Sequence, residues 1–424
     1  MDINNLLNGV NCSCGRYHSC GMKYVVIEKN AISALHAMVA DFHSILIVAD
    51  ENTFAVAGDK TLAALEGKDS RSVIFPGKPI LIPNEEAIGR VKNALDGIDL
   101  IIGIGSGVIQ DLCKYVSHDS AVPYFVVATA PSMDGYASTG AAMILEGMKT
   151  TVPAKVPTAI IADTEILRNA PMDMIQAGYG DIIGKYSALN DWRLSHVVNG
   201  EYFCQYIYDL TFEMLRKTLD LADGLLKREE ESVQVLMEAL IMVGIAMSFA
   251  GSSRPASGSE HHLSHYFEIT GIVNNEAYFP HGIDVAYSTV ITAGLREQLL
   301  TQPWPERQYR PEKEAYLAEM SRIYGPVAGG CIALQEKVGL YKKDMLAVYQ
   351  EKESEIRHIL AQMPAASEIE TILNAAGLNM DAFYKLYSEK KISDAVAYAK
   401  ELKDRYTVLW MYYDLFGPKT ECMG

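Results

Sequence analysis

The sequence predicts an α/β protein: a doubly wound parallel sheet at the N-terminus, followed by an all-helical C-terminal domain. Three observations predict it. Short runs rich in Ile and Val recur through the first 165 residues and end in turn residues. Helical patterns lie between them. After about residue 170 such runs stop, and helical patterns continue nearly to the end.

The strands are expected at 44–50 (SILIVAD), 72–77 (SVIFPG), 99–105 (DLIIGIG), 124–130 (YFVVATA) and 158–163 (TAIIAD). Runs this apolar, with little alternation, read as parallel strands covered on both faces. The stretch NEEAIGRVKNALDG from Asn84 shows the intervening helical spacing. Strand alternating with helix is the signature of a doubly wound sheet. The change of pattern near RNAPMD sets a boundary between residues 1–168 and 169–424. TQPWPERQYRPEKEA, from Thr301, is Pro-rich and charged and reads as an exposed connection.

The 424 residues are 49% hydrophobic, enough for real cores, and carry a net charge of -16. That charge repels nucleic-acid phosphates and anionic membranes, so neither is expected as a partner. The most apolar stretch, VLMEALIMVGIAMSFAG from Val235, contains Glu238 and reads as a buried core helix. The first residues, MDINNLLNGVNCSC, lack the basic and apolar segments of a secretory signal. Seven cysteines, an odd number, suit a reducing cytoplasm. Cys12, Cys14, His18 and Cys20 crowd together in CSCGRYHSC. Four soft donors suit zinc, but the spacing is not that of paired C-x2-C motifs, and a compact turn is the alternative.

Two strand ends suggest a ligand crevice. In DLIIGIGSGVIQDLCKYVS the strand runs into Gly103, Gly105 and Gly107 and then a helix. Glycines admit a ligand close to the backbone, and the helix start offers N–H groups to an anion. The spacing is not G-x-G-x-x-G, so a tight structural turn competes with a nucleotide site. In VVATAPSMDGYAST, Thr129, Ser132, Asp134 and Ser138 follow the next strand. Asp50 ends another strand, where it either binds a ribose hydroxyl or caps a helix.

RPASGSEHHLSHYFEITG holds three of the ten histidines. On a helix His261 and His265 share a face, and His262 turns about 100° away. His281, between Pro280 and Gly282, is placed at a helix start, and Asp181 follows a glycine turn. Singly, each has a structural reading: Asp181 as a helix cap, His281 as a buried hydrogen-bonded ring, His261 as a surface residue.

Taken in order, GIGSGVIQDLCKY, ATAPSMDGYAST, GYGDIIGKYSALNDW, RPASGSEHHLSH, FPHGIDVAYST and LKDRYTVLWMYYDLF resemble the iron-containing alcohol dehydrogenase and glycerol dehydrogenase superfamily. Within it they are most like the sn-glycerol-1-phosphate dehydrogenases of the bacterial AraM-like kind. The resemblance implies a Rossmann-like dinucleotide-binding domain over 1–168 and a helical metal- and substrate-binding domain over 169–424. It implies Asp181, His261 and His281 as ligands of one divalent metal, zinc, nickel or iron. NAD or NADP contacts fall on Gly105, Ser106, Gly107, Val108, Ile109, Thr129, Ala130, Pro131, Ser132 and Ser138. Asp134, Asp181 and His265 lie near substrate, with Asp181 and His265 catalytic. The iron alcohol dehydrogenases carry a further histidine four residues after the aspartate, where this chain has Lys185.

The implied reaction is reversible reduction of dihydroxyacetone phosphate to sn-glycerol 1-phosphate, in glycerophospholipid or related metabolism. The implied setting is a cytoplasmic homo-oligomer, in its simplest form a dimer. Alternatives are a glycerol dehydrogenase, a lyase of the dehydroquinate synthase type, and a nucleotide-binding sensor. A phosphorylated substrate needs local cations in so acidic a chain. Lys185 and Arg254 adjoin the motifs and are candidates, with capping or ion pairing as the alternative.

Overall fold

The computed structural model describes residues 3–146 and 148–418. They form two compact units. The first is Met1–Ile182 with Asp209–Ser253, and the second is Ile183–Tyr208 with Arg254–Gly424. The first unit therefore runs past residue 168 and takes in a later stretch of chain.

That unit holds all ten strands among the described residues. They are β1 (Val10–Asn11), β2 (Tyr17–His18), β3 (Tyr24–Glu28), β4 (Ser44–Asp50), β5 (Asp69–Phe75), β6 (Leu100–Gly105), β7 (Tyr124–Ala128), β8 (Gly140–Leu145), β9 (Met148–Pro153) and β10 (Ala159–Asp163). Six of them form one sheet in the order β3-β10-β7-β6-β4-β5. Every pair in it is parallel. Ile45, Ile47, Ile102, Ile104, Phe125, Val127 and Ile161 fill one face. Leu46, Val48, Ile101, Val126 and Ile160 are equally buried on the other. Burial on both faces explains why these strands appear in the sequence as unbroken apolar runs.

The five strands expected from sequence all form. β3 was not expected. YVVIE is an edge strand with no fully buried residue, so its pattern is weak. The antiparallel β8–β9 hairpin was not expected either. Its first run, GAAMIL, holds a single β-branched residue, Ile144.

The apolar helix Glu230–Ala250 belongs to this unit, and 78% of its most apolar window is buried. It is a core helix. Gly244 on it is obligatory, because a Cβ there would lie 2.8 Å from the Asp134 carbonyl oxygen. On the helix Met172–Ile183, a Cβ at Gly178 would lie 1.8 Å from the carbonyl oxygen of Pro131. Both helices thus touch the loop after β7 backbone to backbone. The fully buried Lys114 fastens the same loop. Its Nζ donates to the carbonyls of Gly135 (2.7 Å) and Gly140 (3.0 Å) and pairs with Asp111 (3.2 Å).

Among its described residues the second unit has helices and connecting loops and no strand. Its helices Lys185–Asn199, Ser259–Asn274, His281–Thr301 and Val408–Phe416 meet at one carboxylate. Asp191 Oδ2 accepts from the N–H of Ser259 at 2.6 Å, and Oδ1 accepts from the N–H of Val408 at 2.8 Å. The Arg296 guanidinium donates to Oδ1 at 2.8 Å. Asp191 and Arg296 side chains are 0% and 1% exposed. One buried anion therefore serves the starts of two helices and neutralises a cation from a third.

Asp191→Asn is expected to cost about 3–5 kcal/mol, because it strands a buried Arg296. Urea melts read the loss. Gly178→Ala is expected to cost about 1–3 kcal/mol through overpacking. Gly107→Ala, whose Cβ would meet nothing within 4 Å, should leave the melt unchanged.

Candidate active site

The candidate residues fall in both units, and each group is built by its own local structure. In the first unit, β6 ends at Gly105 and the helix Gly107–Ser120 begins two residues later. Gly103 and Gly105 are packing glycines. A Cβ at Gly103 would meet Cys113 Sγ at 2.9 Å, and one at Gly105 would meet Ile109 at 2.7 Å. Gly107 differs, since its missing Cβ faces open space. The buried Gln110 amide donates to the carbonyls of Gly103 and Gly105, 3.0 Å each, and so locks the turn. The first intrahelical bond is from Gln110 N–H to Ser106. The N–H groups of Gly107, Val108 and Ile109 precede it and point out of the helix start. That is an anion cradle by geometry.

Thr129, Ala130, Ser132, Asp134 and Ser138 are all buried on the neighbouring loop. Thr129 N–H donates to the Gly105 carbonyl at 3.3 Å, which joins this loop to the glycine turn. Ser138 Oγ is engaged with the carbonyls of Gly135 (3.0 Å) and Gly140 (3.1 Å). Asp181, near the end of Met172–Ile183, is 1% exposed. One of its oxygens accepts the Asp134 N–H at 2.9 Å, so the carboxylate is oriented by the loop. Asp50 takes the capping role: it receives the Thr53 N–H at 2.9 Å in a reciprocal capping box.

In the second unit, His261 and His265 lie on one face of Ser259–Asn274, and His281 opens the next helix. Ring centroids are 5.1 Å apart for His261 and His281, 5.3 Å for His265 and His281, and 6.2 Å for His261 and His265. The buried Glu260 accepts from His261 Nδ1 at 2.7 Å. Ser264 gives its hydroxyl proton to the His281 carbonyl and accepts from His281 Nδ1, both at 3.2 Å. Contacts at Nδ1 to a carboxylate and to a hydroxyl thus orient the two rings, as the outer partners of ligating imidazoles do. Burial pushes the Glu260 carboxyl up. The His261 hydrogen bond and charge, the Gly258 N–H and Lys185 outweigh it and hold the group below its ordinary range.

His262 is turned into the core. It is 0% exposed, and among the described residues neither ring nitrogen has a hydrogen-bond partner. Burial, then the charges of Lys403, Arg405, Arg254 and His261, push its pKa well below the ordinary value. The ring is neutral.

The candidate cations divide. Arg254 is committed: Nε and Nη2 hold Glu201 at 2.7 and 2.6 Å. Lys185 is fully buried and donates to the Ala256 carbonyl at 3.0 Å. Two cations not singled out from sequence flank the same loop. Lys403 Nζ donates to Ser257 Oγ at 3.0 Å, and Arg405 Nη1 to the Ser257 carbonyl at 3.3 Å. Burial and then the neighbouring Arg254 lower the Arg405 pKa to about 10, so it stays charged at neutral pH. Their signal was in LKDRYTVLW, a motif quoted for its resemblance and not for its charges.

Comparison with known proteins places these groups in a lineage. The iron-containing alcohol dehydrogenase profile matches residues 26–171. A glycerol-1-phosphate dehydrogenase [NAD(P)+] of Halalkalibacterium halodurans is 30% identical over 407 residues, 94% of each chain. One from Geobacillus stearothermophilus is 34% identical, over 71% of this chain and 76% of its own. Among solved structures, an iron-containing alcohol dehydrogenase from Thermococcus thioreducens superposes with a TM-score of 0.59 at 14% identity. That match covers 92% of this chain and 97% of the other, and shows a shared fold. With sequence likeness running the length of both chains, this protein belongs to the glycerol-1-phosphate dehydrogenase family of the iron-containing alcohol dehydrogenases.

Proposed function

We propose that the chain reduces dihydroxyacetone phosphate to sn-glycerol 1-phosphate with NADH or NADPH, and catalyses the reverse reaction. The observation that carries this is the 30% identity to a glycerol-1-phosphate dehydrogenase across 94% of both chains. The glycine turn and the histidine triad supply the parts such a reaction needs. In the forward direction a hydride and a proton add to the ketone and give the alcohol and the oxidised cofactor.

The site residues are assigned as follows. Asp181, His261 and His281 would hold one divalent metal, as membership of the family suggests. The two imidazole Nε2 atoms and a buried carboxylate oxygen make a donor set suited to zinc, nickel or iron. The metal supplies a Lewis acid for the ketone oxygen. The nicotinamide cofactor supplies the hydride. Gly105, Ser106, Gly107, Val108 and Ile109 receive its pyrophosphate. Thr129, Ala130, Pro131, Ser132 and Ser138 shape the adjoining wall. Asp134 and His265 orient the substrate, and His265 delivers the proton to the developing alkoxide. Residues 1–168 carry the dinucleotide role, and 169–424 the metal and substrate role.

The substrate phosphate is assigned to Lys403 and Arg405, which stand beside the loop that leads into the histidine-bearing helix. Both cations flank Ser257, two residues before the helix that bears His261 and His265. This favours a phosphorylated triose over free glycerol. We read the setting as cytoplasmic and the active form as a homo-oligomer, in keeping with an acidic chain and an odd number of cysteines.

His281→Ala is expected to lose the metal and most activity, and His262→Ala to keep both, as read by metal analysis and turnover. Wild type should prefer dihydroxyacetone phosphate over dihydroxyacetone by about two to four orders of magnitude in kcat/KM, the worth of two charge-assisted hydrogen bonds. Lys403→Ala and Arg405→Ala should each shrink that preference about tenfold or more and leave the slow reaction of the unphosphorylated ketone little changed. Equal turnover of both ketones by wild type would replace this reading with a glycerol dehydrogenase. Gly107→Val should weaken NADH binding in a fluorescence titration with metal content unchanged.

A further inference from the structure

We propose that Cys12, Cys14 and His18 bind a zinc ion, at a site separate from the metal of the reaction. All three sit on the hairpin formed by β1 and β2. Each strand is two residues long, too short to stand on its own ladder. The turn is tight. Cys12 N–H donates to the Arg16 carbonyl at 3.1 Å, and Gly15 N–H to the Cys12 carbonyl at 3.0 Å. Gly15 has a φ of +85°, a conformation that favours glycine. The turn brings the two sulfurs and the ring nitrogen within 4.8 Å of one another.

The geometry is that of ligands around an ion. In a tetrahedral zinc site, sulfur lies about 3.8 Å from sulfur and about 3.6 Å from nitrogen, from Zn–S near 2.3 Å and Zn–N near 2.05 Å. Cys14 Sγ is 3.4 Å from His18 Nε2. The Cys14 N–H donates to Cys12 Sγ at 3.5 Å. His18 is 1% exposed and its Nδ1 donates to the Phe249 carbonyl at 3.1 Å, with the ring stacked on Phe249 at 5.6 Å. The ring therefore donates through Nδ1 and turns Nε2 toward Cys14 Sγ. A backbone carbonyl behind a ligating imidazole is the usual outer support of a metal site. Cys20, close in sequence, lies outside this group and faces the core, where burial raises its thiol pKa.

On binding, each thiol loses its proton to solvent and two S–Zn bonds and one N–Zn bond form; nothing is oxidised or reduced. Two thiolates balance the charge of Zn2+. The ion takes its fourth donor from a further thiolate or from water. Its effect is to clamp the N-terminal hairpin to the end of the helix Glu230–Ala250, through His18 and Phe249.

The test uses the full-length protein, reduced, stripped with a chelator and reloaded with Co2+ or Zn2+. Cobalt bound to thiolate gives a near-ultraviolet charge-transfer band that an aspartate–histidine site does not, so this site is read independently of the catalytic metal. Expected are a band with the intensity of at least two thiolates, and its reduction in Cys12→Ser and in Cys14→Ser. Zinc affinity there should fall about a hundredfold in each and about tenfold or more in His18→Gln. Cys20→Ser should keep the band, and the serine variants should keep wild-type turnover at 25 °C while unfolding at lower temperature. A reduced wild type without the band overturns the proposal. So does unchanged zinc affinity in the Cys12→Ser, Cys14→Ser double variant. So does a Cys12–Cys14 disulfide, seen as two thiols that appear only on reduction.

Discussion

The carboxylate of Asp191 accepts the leading N–H of two helices and the guanidinium of Arg296 at once. Removing these groups from water is costly, and only complete mutual satisfaction offsets that cost. The consequence is geometric. The helix Ser259–Asn274 cannot slide or rotate without breaking a bond to Asp191, so its register is fixed. That register decides that His261 and His265 meet His281 while His262 enters the core. Gly258 shows how little slack remains: a Cβ there would come within 2.7 Å of Asp191 Oδ2.

The first unit solves a comparable problem around a buried lysine, Lys114, paired with Asp111. Its working loop after β7 must hold several polar groups in a buried setting. Two glycines let helix backbones press on it, and Lys114 ties its carbonyls together from inside. A buried ammonium with four acceptors close by is well hydrogen-bonded, so the lysine functions as a structural pin. The open side of Gly107 stands out against the crowded Gly103 and Gly105. Three glycines in one turn thus have two different reasons to be glycine.

The sheet was legible because strands buried on both faces leave short runs of Ile and Val that end in turn residues. β3 and the β8–β9 hairpin were not, since an edge strand and a run of small residues leave weaker traces. The helix pair bearing the histidines was legible from the four-residue spacing of His261 and His265 and from Pro280 before His281. What turns those rings into candidate ligands was not. Glu260 and Ser264 orient the rings, and their identity as ring partners depends on side-chain direction, which spacing does not give. Asp191 carried a signal that was passed over. An aspartate within ALNDWRL, flanked by the large apolar Leu189, Trp192 and Leu194, has to be paired if it is buried. Arg254 was legible as a cation but not as one already neutralised, because Glu201 lies 53 residues away in sequence.

The first unit is assembled from two lengths of chain, with Ile183–Tyr208 spun off to the second between them. During synthesis the sheet can form early, yet the surface that Glu230–Ala250 covers stays open until that helix has emerged. Over the same interval the ribosome extrudes the apolar helix Glu230–Ala250, which is mostly buried in the finished unit. The interrupted order of the chain therefore sets a time at which the nascent protein is most exposed to aggregation, and that time ends when residue 253 is clear of the exit tunnel.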